Sequence, residues 1–151
     1  MYTMNRESIV KALREKGLKI TPQRLAIIEV LMEKNDDHPG AGVIYREARK
    51  RMHSVSLSTV YATLGELSRR GIIKALQFDQ MENRYEGNLE EHVNLICKGC
   101  GKIIDYEAPV SLDPAKIAKE TGFQMLDSRL EYYGYCRKCV NRRKGKGDRT
   151  L

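Results

Sequence analysis

Two cysteine pairs of identical spacing, Cys97/Cys100 and Cys136/Cys139, constrain this chain more than any other feature. In each C-x-x-C the thiolates lie close enough to share one ion. Two pairs supply four soft ligands, the donor set of tetrahedral zinc. The 35 residues between the pairs exceed what a compact ribbon needs. That loop must therefore carry strands and a helix of its own, with the metal stapling its two ends together. Gly99 and Gly101 allow a tight turn around the first pair. A redox dithiol accounts for one pair and leaves the other idle, and four unrelated buried thiols account for neither spacing.

At 151 residues the chain is one large domain or two small ones. No apolar run approaches the roughly 18 residues that span a bilayer. The opening "MYTMNRESIVKALREKG" carries charges throughout, unlike a secretory signal. The expectation is a soluble cytoplasmic protein with no membrane partner, in a reducing compartment where paired thiols hold metal more often than they form disulfides. Residues 1–86 hold 15 basic against 11 acidic side chains, a net +4, whereas residues 87–135 net −3 and residues 136–151 net +6. A basic front and an acidic middle suit a nucleic-acid binder joined to a second, non-binding module. Taken alone, +4 over 86 residues also fits ordinary solvated surface. The stretch 141–151 is expected to be a basic, disordered tail adding non-specific attraction to phosphate.

The front half has helical periodicity. "RESIVKALREKG" aligns Ile9, Val10 and Leu13 and ends at Gly17, while "TPQRLAIIEVLMEK" offers Thr21 as N-cap and Pro22 at the first helical position. In that second helix Leu25, Ile28 and Leu31 or Met32 are expected inward. "VIYREARKRM" reads as a third helix. In "SVSLSTVYATLGELSRRG", Leu57, Val60, Leu64 and Leu67 form a buried stripe at spacings of three and four. Ser58, Tyr61, Ala62, Gly65 and Arg69 fall together on another face. That face is slim, with a hydroxyl and an aromatic tip, and suits a major groove. "IIKALQF" and "RYEG", joined by "DQMEN", read as a hairpin. Helices followed by a two-stranded hairpin make a winged helix-turn-helix. The back half alternates as strands in "HVNLIC" and "GKIIDYE", has a short helix in "PAKIAKETG" after Asp113, and continues in "FQMLDSRLEYYGYC" as one or two more strands. The fold class is α+β: a winged helix-turn-helix over residues 1–87 and an α/β module over 88–140 with a four-cysteine zinc site.

Six stretches, "GLKITPQR", "HPGAGVIY", "SLSTVYATL", "GIIKALQF", "HVNLICKGCGKIIDYE" and "RLEYYGYCRKC", occur in an order and spacing that resemble the ferric-uptake-regulator family of bacterial metal-dependent repressors, from about residue 6 to 140. The resemblance implies an N-terminal winged helix and a C-terminal dimerisation domain, with structural Zn(II) on Cys97, Cys100, Cys136 and Cys139. It also implies a regulatory Fe(II), Mn(II) or Zn(II) between them, whose ligand positions fall here on His38, Glu86, His92, Asn94 and Asp105. Two positions depart from the family pattern. Asn94 replaces the second histidine of an H-x-H pair, and an amide oxygen is the weaker ligand. Ser128 replaces a histidine of the family's auxiliary site, which is expected to be absent or weak despite Glu107. Glu86 resembles the iron-sensing branch, whereas the cysteine site and the weak third site lean toward the peroxide-sensing one. His53 is expected not to be a ligand.

The mechanism so implied is that of a homodimer, not an enzyme, whose regulatory metal promotes binding to a palindromic, AT-rich double-stranded DNA operator. Such a repressor would control iron-uptake or peroxide-stress genes. Tyr61 is the candidate base contact, Ser58, Thr59 and Lys19 are candidates for phosphate or minor groove, and Arg24 for the backbone. Two alternatives stay open: a constitutive DNA-binding protein with structural zinc only, and a zinc-dependent hydrolase. The hydrolase requires an open metal position.

Overall fold

The structure, a computed structural model, describes residues 5–78, 81–107 and 112–145. The chain divides into two units, Met1–Glu90 and Glu91–Leu151.

The first unit is built on helices whose ends are written in the sequence. α1 (Arg6–Glu15) starts where the Asn5 side chain accepts from the Ser8 amide at 2.8 Å. It stops at Gly17, whose φ of +73° lets Leu18 N donate to Leu13 O and Gly17 N to Arg14 O. α2 (Pro22–Glu33) begins at Thr21, whose hydroxyl accepts from Arg24 N at 3.2 Å. It is apolar on most of its circumference: Ala26, Ile27, Ile28, Val30 and Leu31 are all buried, and it packs against α1, α3 (Ala41–Arg51) and α4 (Leu57–Arg69). Leu25, expected inward, is half-buried. The core joins Ile9 and Leu13 of α1 to Ile44 of α3 and to Val60, Leu64 and Leu67 of α4. Each buried aliphatic side chain contributes about 1.5–3 kcal/mol.

Leu57 does not belong to the stripe expected of it, being 43% exposed. It is the first residue of α4, and helical side chains lean toward the N-terminus, so it projects past the Ser56 cap instead of into the core. Thr63 takes the place on the buried face. Gly71 (φ +69°) ends α4 as Gly17 ends α1, with Ile72 N donating to Leu67 O at 2.9 Å. The chain then turns into β1 (Lys74–Leu76), which pairs antiparallel with β2 (Arg84–Glu86), Lys74 opposite Glu86 and Leu76 opposite Arg84. Residues 79 and 80 of the connecting turn lie outside the described residues. α3 and α4 followed by this β-wing form the winged helix-turn-helix.

The second unit is a three-stranded sheet of order β4-β3-β5, from β3 (Val93–Cys97), β4 (Ile103–Tyr106) and β5 (Leu130–Gly134). β3 and β4 are antiparallel neighbours, whereas β5 returns parallel to β3 after α5 (Pro114–Thr121). "FQMLDSRLEYYGYC" yields only β5, because pairing with β3 begins at Leu130 opposite Val93. The expected disordered tail is corrected for residues 141–145, which complete α6 (Arg137–Gly145). That helix is anchored by the buried Cys139 and by Arg143 stacked 4.0 Å over the Tyr135 ring, and its basic last turn suits the helix dipole. Residues 146–151 lie outside the described residues.

Candidate metal centres and nucleic-acid face

The parallel pairing of β3 and β5 explains why cysteine pairs with 35 residues between them meet. Cys97 lies opposite Gly134, so both strands end at the same edge of the unit, each leading directly into its cysteine turn. Lys98 N donates to Gly134 O at 2.7 Å and Cys136 N to the Cys97 sulfur at 3.2 Å, locking the two turns together. The four ligand atoms of Cys97, Cys100, Cys136 and Cys139 all lie within 4.8 Å of one another. Cys100 and Cys136 Sγ are 3.7 Å apart, too far for a disulfide. A zinc–sulfur bond of 2.3 Å sets tetrahedral sulfur separations of about 3.8 Å. Gly99 is required here: a Cβ on it would meet Cys139 Sγ at 2.7 Å.

Electrostatics points the same way. Burial opposes ionisation of Cys97, but the Cys136, Cys100 and Gly99 amides directed at its sulfur bring its pKa down to about 6. Hydrogen bonding to Cys97, burial and the remaining thiols push Cys139 up to about 12. One thiolate forms readily and the last is opposed by the others. A dication removes that conflict, so the donor set fits zinc.

A different chemistry occurs twice more. In the first unit, a 3₁₀ turn (Asn35–Asp37) delivers His38, whose Nε2 lies 3.1 Å from Glu86 Oε2 at the end of β2; both side chains are 1% exposed. In the second unit, His92 precedes β3 and its Nε2 lies 3.4 Å from Asp105 Oδ1 on β4. Asn94 stands opposite Asp105 in the β3–β4 register, and its Oδ1 is buried without a hydrogen-bond partner among the described residues. A buried carbonyl oxygen so placed is costly unless something binds it. Imidazole, carboxylate and amide oxygen together suit Fe(II), Mn(II) or Zn(II). Each unit therefore carries one histidine–carboxylate pair, fully buried in the first and with Asp105 half-buried in the second, and the second adds Asn94. His53 is exposed.

On α4, Tyr61 is 56% exposed and Ser58 is exposed, as a reading face requires. Thr59 is half-buried, and its hydroxyl and that of Ser58 lie 2.8 and 3.0 Å from Ser56 Oγ, a hydroxyl cluster at the helix start. Lys19 is exposed, but Arg24 directs Nη1 onto the Lys19 carbonyl at 2.6 Å, which gives that guanidinium a structural task as well. The basic side chains of α3, to which the sequence assigned no role, form a further cationic group: Arg49 stacks over Tyr45 at 5.6 Å and donates to its hydroxyl at 2.7 Å, beside Arg46 and Lys50. Sequence reasoning also overlooked Asn35 and Arg84. Arg84 and Glu86 share one face of β2, and that i,i+2 relation was the available signal.

Comparison with known proteins is consistent throughout. The ferric uptake regulator family profile matches residues 15–133. The peroxide-responsive repressor PerR of Staphylococcus aureus is 33% identical over 137 residues, covering 90% of this chain and 92% of that protein. The Helicobacter pylori ferric uptake regulator Fur, described with three functional metal binding sites, superposes with a TM-score of 0.71 at 25% identity, over 93% of this chain and 97% of that one. The iron-containing ferric uptake regulator of Francisella tularensis gives 0.66 at 25% identity, over 82% and 96%. A thiol site suited to zinc, a winged helix and this agreement in sequence and fold lead to one conclusion: the chain belongs to the ferric uptake regulator family, whose members are metal-responsive transcriptional repressors.

Proposed function

We propose that this protein is a homodimeric repressor that binds a palindromic, AT-rich operator when a divalent metal occupies a regulatory site distinct from its zinc. The observation that carries this reading is the pair of histidine–carboxylate couples, one in each unit. His38 and Glu86 are the ligands offered by the first unit, and His92, Asp105 and Asn94 those offered by the second. When bound, Fe(II) or Mn(II) would supply a dication for these imidazole, carboxylate and amide donors. Metal binding at those side chains shifts the population toward the form that binds DNA. Tyr61 then reaches base edges, with Ser58, Thr59, Lys19, Arg24 and the α3 arginines near the backbone.

Dimerisation is supported by the second unit's exposed apolar side. Ile104, Tyr106, Leu130 and Tyr132 alternate onto one face of the sheet, and all are at least 38% exposed; Phe123 and Leu126 are more so. α5 buries none of its residues. So large an apolar patch is a protein–protein surface, and a second copy is its natural cover. Family members are regulators rather than enzymes, and a closed four-thiol site leaves no open position for hydrolysis. Among the described residues, no helix is long and apolar enough to cross a membrane.

Fluorescence anisotropy tests the reading, using zinc-loaded protein and an AT-rich palindromic duplex selected by it from a random pool. Added Mn(II) is expected to tighten binding by about 5- to 150-fold, the usual range of allosteric coupling. Equal affinity with and without Mn(II) identifies a constitutive DNA-binding protein that has structural zinc only.

A further inference from the structure

His38 is the one non-glycine residue with positive φ among those described, at +49°. For an L-residue this left-handed conformation is uncommon, and it persists only where surrounding bonds determine it. Those bonds run to the wing. Asn35 grips the loop from both sides: its backbone oxygen accepts from His38 N at 3.2 Å, and its side-chain oxygen accepts from Gly87 N at 2.7 Å. Arg84 Nη1 donates to the His38 carbonyl at 3.0 Å, and Tyr85 N donates to Pro39 O at 3.1 Å. Gly40 forms an antiparallel bridge with Arg84. β2 is thus bonded along both edges, to β1 on one and to the His38 loop on the other. Glu86, the carboxylate facing His38, is the last residue of the same strand.

The pair and the wing consequently share one set of bonds. His38 cannot leave its conformation without disturbing Arg84 and Asn35, and β2 cannot shift without moving His38 off Glu86. We propose that Asn35 and Arg84 are positioning residues that couple the His38/Glu86 pair to the β-wing, so that metal occupancy sets the order of the wing. This rests on the metal-responsive reading above and adds a second output to it. By linkage, side chains that hold His38 ready for metal must be reinforced in turn when metal binds.

Amide hydrogen exchange on full-length, zinc-loaded protein, with and without Mn(II), tests this. Saturating Mn(II) slows exchange at the Tyr85 and Gly87 amides by about tenfold, and Arg84→Met or Asn35→Ala weakens Mn(II) binding by about tenfold and removes the slowing, as expected for loss of one hydrogen bond to a constrained loop. Arg84→Lys, whose ammonium can still donate to the His38 carbonyl, restores most of both. A purely structural role would lower the melting temperature of the variants without touching their metal-dependent exchange. Folded variants that keep wild-type Mn(II) affinity and full slowing overturn the proposal. Wild-type protein that binds Mn(II) with unchanged exchange at both amides overturns it alone, and wild-type protein that binds no Mn(II) removes the regulatory reading with it. If neither variant folds, the wild-type exchange measurement decides.

Discussion

Cys97→Ser is expected to abolish zinc binding and to unfold the second unit while the helical first unit stays folded. Among the described residues, few apolar side chains are buried in the second unit: Val93, Ile96 and Ile103, with Cys97 and Cys139 themselves. A sheet with so small a core does not offset the conformational entropy of its own chain, and modules of this size depend on staples. Structural zinc contributes on the order of 10–16 kcal/mol of apparent binding energy in small peptides, which makes it the largest stabilising term available here. Serine is nearly isosteric with cysteine, so the loss is one of ligation and not of packing. Native mass spectrometry should find no zinc in the variant, and limited proteolysis should cut freely beyond about residue 91 while the winged helix resists. A variant with a full zinc complement, or one lacking zinc yet resistant to protease in the second unit, contradicts the staple.

The second large effect is functional. His92→Ala is expected to leave zinc content and fold intact, to weaken Mn(II) binding by more than the 10- to 100-fold typical of outer-shell losses, and to remove metal-dependent DNA binding. His92 is buried beside Asp105, so its removal takes away a first-unit-independent ligand. His38→Ala should have the same phenotype although its residue lies in the other unit, and the agreement between the two is the informative result. Metal titration by calorimetry and anisotropy with the selected duplex measure both. Either variant retaining wild-type response to Mn(II) excludes that histidine from the regulatory set.

Local chemistry was legible in the sequence where a residue acts on its own neighbours. Thr21, Pro22 and Gly17 set helix ends by rules that span four or five residues, and the helices start or stop there. The cysteine spacing announced a four-thiol site because each C-x-x-C is a local turn. Features that depend on long-range pairing were not legible. That β5 runs parallel to β3, with Gly134 opposite Cys97, is what closes the thiol site, yet no local pattern specifies it. Leu57 fits the helical period but stands one turn beyond the packing. Residues 141–145 read as a charged tail, and are helical because the buried Cys139 anchors the first turn of α6 and the Arg143–Tyr135 stack holds its last. Asn35 and Arg84 escaped notice because their partners are 52 and 46 residues away.

One bound ion and the operator are expected to favour the same conformation. Titrating Mn(II) into zinc-loaded protein, alone and then with the selected duplex bound, measures this directly. DNA is expected to tighten Mn(II) binding by the same factor by which Mn(II) tightens DNA binding, at one ion per subunit beyond zinc. Mn(II) affinity that is identical with and without DNA contradicts it.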